Sequence, residues 1–166
     1  HRNSLWEALR AQGVSPKYVN ILRNLYENAN SRVRFEGSVS RAFSVHTGVR
    51  QGCILTPRLF NVVINWIARK SAFEGVQAGE NTHVDYLAYA DDLVIFADSA
   101  ADAQRALNTL DDAASRLGLR INTQKTKVLG SDQITLHGAP VEEVERFSYL
   151  GSPSPLAAFR LRTTST

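Results

Sequence analysis

The chain has 166 residues, 43% hydrophobic and 21% charged, with one cysteine and no methionine. That composition describes a globular chain long enough for a real core, and it excludes a fibrous, disordered or disulfide-stapled one. Net charge is only +3, yet residues 1–70 hold 11 Lys/Arg against 3 Asp/Glu, residues 71–115 hold 1 against 9, and residues 116–166 hold 7 against 4. A basic surface for a polyanion beside an acidic site is one reading of that asymmetry. Solvated faces with no partner are the other.

No apolar run approaches the roughly 18–20 residues of a membrane-spanning helix, so no membrane partner is expected. The single Cys53 excludes an internal disulfide and a cysteine cluster for zinc, which suits a reducing intracellular compartment. The absence of methionine even at position 1 leads us to expect a piece of a longer protein.

In chain order, Leu5, Trp6 and Leu9 have helical spacing, and Gly13 stops that helix. Ser15-Pro16 caps and opens a second helix with Val19, Leu22, Leu25 and Tyr26 on its stripe. "SRVRFEG" and "RAFSVHTG" predict two short strands turning at Gly37-Ser38. Thr56-Pro57 launches a third helix carrying Leu59, Phe60, Val63, Ile64 and Ile67, with Val62 and Trp66 on its other side. "THVDYLAY" and "LVIFAD" predict two strands joined at Ala90-Asp91. Ser99 caps a fourth helix with Ala103, Ala106, Leu107, Leu110 and Leu117 on its stripe, closed by Gly118. Short strands are expected at residues 126–129, 133–136 and 147–150. Residues 153–166, rich in Pro, Ser and Thr, are expected to form a divergent, disordered tail. The order of elements predicts a mixed α+β class with a mostly antiparallel sheet.

Two segments carry chemistry. The run "LVIFA" is apolar without alternation, as in a strand covered on both faces. Two carboxylates beside it, Asp91 and Asp92, are costly unless exposed at a turn, paired, or bound to metal. A polar turn is the plain reading. A Mg²⁺ site is the sharper one, since Mg²⁺ takes oxygen ligands from one or two carboxylates plus substrate phosphates. Successive strand residues point to opposite faces, so the two carboxylates are expected to have unequal roles. Upstream, "HTGVRQGCILTPRLFN" sets Gly48 and Gly52 around Arg50 and Gln51 and feeds a helix. Such a loop suits a nucleotide or a nucleic-acid backbone. Taken alone, it is only a loop and a cap.

Together, "GVRQGCILTPRLFN" and "YADDLVIFAD" resemble the reverse transcriptases of non-LTR (LINE-type) retrotransposons. The resemblance extends upstream through "HRNSLWEALRAQGV" and "LYENANSRVRFEG", and downstream into "GLRINTQKTKVL" and "FSYLGS", covering residues 1 to about 152. It implies the partial palm of a right-hand polymerase that joins a dNTP to a primer 3′-hydroxyl through two Mg²⁺ ions, with Mn²⁺ as an alternative. By the resemblance Asp91 and Asp92 are the catalytic, metal-binding pair, Asp91 the principal ligand. Tyr89 and Ala90 border the incoming nucleotide, and Arg50, Gln51 and Gly52 line the nucleotide and template side. Lys125 of "TQKTK" is a candidate general acid toward pyrophosphate, with a surface lysine as its alternative. Tyr149, Leu150 and Gly151 match a primer grip, with an ordinary amphipathic strand as theirs.

The implied partners are an RNA template, a DNA primer and dNTP, with an endonuclease domain elsewhere in the full protein. Nuclear and cytoplasmic residence goes with a full element of this kind and is not readable from these residues. One departure stands out. The family carries another metal-binding Asp in a pattern like D-x-x-x-A-F-D before the first helix, and this chain starts after that point. The fingers upstream and the thumb are also missing. The isolated chain is therefore expected to be inactive, and a catalytically dead nucleic-acid-binding remnant is the alternative reading.

Overall fold

The computed structural model describes residues 2–27, 29–50, 52–130, 133–154 and 159–164. The chain divides into two compact units, residues 1–63 and 64–166.

In the first unit, α1 (Arg2–Ala11) buries Leu5, Trp6, Ala8 and Leu9 along one stripe. The helix ends where Gly13 adopts φ +83 and the Val14 N–H returns to the Leu9 carbonyl at 3.1 Å. Such a stop needs a left-handed residue, which glycine supplies without a Cβ penalty. Pro16 opens α2 (Pro16–Glu27) where its missing N–H costs nothing. Val19 and Tyr26 join Leu5, Trp6, Leu9 and Leu59 in one core, with the Trp6 and Tyr26 ring centroids 6.1 Å apart. Each such side chain contributes about 1.5–3 kcal/mol on burial. Leu59 belongs to α3 (Thr56–Ser71), and the Gln12 amide fastens the end of α1 to that helix by donating to the Val62 carbonyl at 2.7 Å.

Between α2 and α3 lie two nested antiparallel pairs, Asn30–Ser31 with Phe43–Ser44 and Arg34–Phe35 with Ser38–Val39. The turn falls on Glu36-Gly37, one residue earlier than expected. Both residues have positive φ, 45° and 79°, the mirror-image turn whose twist matches the strands.

The second unit is built on a sheet. Its strands are β1 (Tyr86–Tyr89), β2 (Asp92–Ile95), β3 (Arg120–Ile121), β4 (Lys127–Val128), β5 (Glu142–Glu143) and β6 (Phe159–Thr164). The order is β5-β4-β6-β2-β1, and β3 also pairs with β6. Every pairing is antiparallel except β4 with β5. Helix α4 (Ala100–Arg116) starts at Ser99, whose hydroxyl accepts from the Asp102 N–H at 3.2 Å, and it buries Ala103, Ala106, Leu107 and Leu110. Leu93, Val94 and Ile95 of β2 are all buried, as expected of a strand covered on both faces. The expected α+β class, mostly antiparallel, is what forms.

Three further expectations are corrected. Residues 82–89 are not one strand: the chain breaks at Asp85, so that Thr82–Val84 pairs with Val76–Gly79 and β1 pairs with β2. Asp85 is held there by its carbonyl, which accepts from the Phe96 N–H at 3.0 Å, and by its carboxylate, 2.7 Å from His83 Nδ1. The later strands are shorter than expected and gain partners, Ala139–Pro140 opposite Thr135–Leu136 and Ser152–Ser154 opposite Phe147–Tyr149. Finally, the tail expected to be disordered contributes β6 to the middle of the sheet. The physical reason lies in "FRLR", which alternates apolar and basic residues with the period of a strand, inside a stretch whose Pro, Ser and Thr obscured it. Residues 155–158 and 165–166 of that tail lie outside the described residues.

Candidate functional site

β1 and β2 form a hairpin in which Tyr86 faces Ile95, Leu87 faces Val94, Ala88 faces Leu93 and Tyr89 faces Asp92. Ala90 and Asp91 alone make the turn. Ala90 adopts φ +51, a left-handed conformation that costs an L-residue roughly 1–2 kcal/mol. Glu36, His137 and Leu150 take the same conformation at the first position of their turns. Glu36-Gly37, His137-Gly138 and Leu150-Gly151 each place glycine at one of two positive-φ positions. The acidic turn has no glycine. Strain of this kind persists where the surroundings hold it, and it concentrates at functional sites.

Asp91 sits in the turn and Asp92 is the first residue of β2; both are half-buried. Beyond Asp92 the strand runs directly into the core. A carboxylate mounted on such a strand has little freedom, which suits a ligand whose position matters. The two carboxylates fit the oxygen chemistry of a divalent hard cation. Among the described residues no group of three or more His, Cys, Asp or Glu side chains gathers that could hold a metal ion. Tyr89, at 64% exposure, and Ala90 are open to solvent beside Asp91 and Asp92.

Tyr149, Leu150 and Gly151 belong to the same unit. Tyr149 faces Ser152 in the hairpin Phe147–Tyr149/Ser152–Ser154, and Leu150-Gly151 form its turn with φ 51° and 84°. Tyr149 packs against the cluster of Val94 and Phe96. The structure thus joins this hairpin to the strand that begins at Asp92. Lys125 ends an exposed 3-10 turn, Thr123–Lys125, whose first turn is capped by the Asn122 side chain accepting from the Lys125 N–H at 3.1 Å. It lies between β3 and β4.

In the first unit, Arg50 and Gly52 flank Gln51, which lies outside the described residues. The Arg50 carbonyl accepts from the Cys53 N–H at 3.1 Å and from the Thr56 hydroxyl, which ties the loop to the start of α3. Gly52 has φ +82, and open space surrounds the position a Cβ would take. The loop's other end is anchored by Arg2, which donates to the Gly48 carbonyl at 3.1 Å and the Tyr26 carbonyl at 2.7 Å. The Arg50 side chain itself is exposed. Sequence reasoning missed Ile54, which stands 89% exposed at this loop, next to the partly exposed Leu55. The signal was available: an apolar pair inside an otherwise polar, glycine-flanked loop.

Residues 2–153 match the reverse transcriptase (RNA-dependent DNA polymerase) family. The chain is 33% identical over 150 residues to the retrovirus-related Pol polyprotein from the type-2 retrotransposable element R2DM of Drosophila melanogaster, covering 90% of this chain and 14% of that protein. It is 30% identical over 124 residues to the uncharacterized 149 kDa protein of transposon TX1 of Xenopus laevis, covering 73% of this chain and 10% of that protein. Against the RNA-directed DNA polymerase from mobile element jockey of Drosophila funebris it is 24% identical over 151 residues, covering 83% and 16%. The chain thus spans a small part of the curated relatives it matches. By the acidic hairpin, the glycine-flanked loop and these matches, it belongs to the reverse transcriptase family.

Proposed function

We propose that this chain is the acidic-hairpin portion of an RNA-directed DNA polymerase of a non-LTR retroelement, and that Asp91 and Asp92 hold its catalytic divalent metal. The observation that carries this reading is the pair of half-buried carboxylates at a strained, glycine-free turn on a strand anchored in the core. Mg²⁺ or Mn²⁺, when bound, would lower the pKa of the primer 3′-hydroxyl and neutralise the dNTP phosphates. The chain's own residues position the partners. Asp91 is the principal ligand and Asp92 the lesser. Tyr89 and Ala90 offer an exposed surface to the nucleotide. Arg50 and the open backbone at Gly52 meet phosphate, and Ile54 meets an apolar base face. Tyr149, Leu150 and Gly151 hold the primer end, steadied by the contact of Tyr149 with the β2 core. Lys125 donates a proton to the departing pyrophosphate.

A two-metal site needs a further carboxylate beyond Asp91 and Asp92, so on this reading the 166 residues alone are inactive. A longer protein that adds a further carboxylate is the active form. Primer extension on an RNA template with annealed DNA primer, dNTPs and Mg²⁺ or Mn²⁺ tests this. The longer protein should extend the primer, and Asp91→Asn should slow it by at least ~100-fold, as expected for the loss of a group that stabilises transition-state charge. Asp92→Asn should slow it less. Unchanged extension by Asp91→Asn would sink the assignment, and extension by the 166-residue chain itself would overturn its expected inactivity.

A further inference from the structure

β6 is the strand that holds the sheet of the second unit together. Phe159, Arg160, Leu161 and Arg162 face Ile95, Val94, Leu93 and Asp92 of β2 on one edge. On the other edge Phe159 and Arg160 face Val128 and Lys127 of β4. Further along β6, Thr163 and Thr164 face Ile121 and Arg120 of β3. Each of its six residues has a partner, and both edges run antiparallel. Among the described residues β2 and β4 do not pair with one another, and β3 pairs with β6 alone. Without β6, then, the sheet separates into β1-β2 and β4-β5, with β3 unpaired. Two unpaired edges one strand apart are a template for an extended segment.

We propose that the space between β2 and β4 is a strand-acceptor site, and that its ligand is an extended segment running antiparallel to β2. In this chain residues 159–164 fill it. Main-chain hydrogen bonds to two edges supply the binding, and the period-two pattern of "FRLR" suits a strand with two distinct faces. Because the register sets Arg162 opposite Asp92, filling the site also fixes the first residue of β2, and with it the base of the acidic turn. The inference concerns strand pairing alone, so it stands or falls separately from the polymerase reading.

The test uses the full 166-residue chain and a version ending at Ser154. The shortened chain should melt at a lower temperature and lose amide protection against hydrogen exchange at residues 93–95, 120–121 and 127–128. A synthetic peptide of residues 157–166 should restore both, with a saturable upward shift in Tm. The same peptide carrying Arg160→Pro should not. Arg160 faces Val94 on one side and Lys127 on the other, so its N–H meets a partner strand whichever way it points, and proline removes it. If the shortened chain does not fold, the comparison moves to full-length Arg160→Pro against full-length Thr166→Pro. Loss of β2 protection in the first and not the second supports the site. Unchanged β2 protection on truncation, equal rescue by both peptides, or equal protection in the two full-length variants would overturn it.

Discussion

At the scale of single residues, the acidic turn is decided by Ala90 as much as by the two aspartates. Its φ of +51° is unfavourable for any residue with a Cβ; Glu36, His137 and Leu150 take the same conformation in their turns, but each is followed by a glycine and Ala90 is followed by Asp91. Ala90→Gly should relieve about 1–2 kcal/mol of strain and return about 0.5–1 kcal/mol as unfolded-chain entropy. Urea unfolding should therefore show a net gain of roughly 0.5–1 kcal/mol. In the longer protein the same substitution should lower primer extension, because a freer turn aims Asp91 less well. A gain in stability with unchanged activity would show that the strain has no part in positioning. The acidic pair was legible in the sequence because charges next to an unalternating apolar run are conspicuous. The strain at Ala90 was not, since alanine announces no particular φ. Ile54 went unnoticed because an apolar residue in a loop is read as incipient helix until its exposure is known.

At the scale of elements, α4 shows how a local signal becomes stability. Ser99 accepts from the Asp102 N–H, and its hydroxyl donates to Asp102 Oδ2 at 2.5 Å, so cap and first-turn acid satisfy one another. Ser99→Ala should cost about 1 kcal/mol in urea unfolding. That hydrogen bond is also the largest cause holding the Asp102 carboxyl below the ordinary carboxylate value, with the Arg105 guanidinium adding to it. The carboxyl is lower in the folded chain than in the unfolded one. Its contribution is thus fully present above about pH 4, the unfolded carboxylate range, and disappears as pH falls through the depressed folded value. The stability difference between wild type and Asp102→Asn should shrink on acidification; a difference constant down to about pH 2 would contradict the linkage. The four helices were legible because each apolar stripe is met by a cap or a stop, Gly13 after the first, Ser15-Pro16 and Thr56-Pro57 before the second and third, and Ser99 and Gly118 at the two ends of the fourth. The strands were harder. Glu142–Glu143 and Ala139–Pro140 are two residues long and exposed, and nothing in such pairs has a period. The break at Asp85 depends on contacts with Phe96 and His83 that no local pattern encodes.

At the scale of the whole molecule, the charge asymmetry falls largely along the division into two units. Residues 1–63 carry nine Lys/Arg and three Asp/Glu. Within that unit Arg32, Arg34 and Arg41 are exposed on the nested strand pairs, interleaved with the exposed Phe35 and Phe43. Arginines meet phosphates and aromatic faces stack on bases, and the two contributions respond differently to salt. If this surface meets the template, binding of single-stranded RNA should weaken with rising salt along a straight log–log line. Replacing Arg32, Arg34 and Arg41 by alanine should flatten the slope by about 0.7 for each phosphate that is no longer neutralised. Phe35→Ala should instead weaken binding by roughly 1–3 kcal/mol with the slope unchanged. Filter binding or fluorescence anisotropy across a salt series separates the two. A flat salt dependence would mean that the basic residues are a solvated face after all, the reading that composition by itself left open.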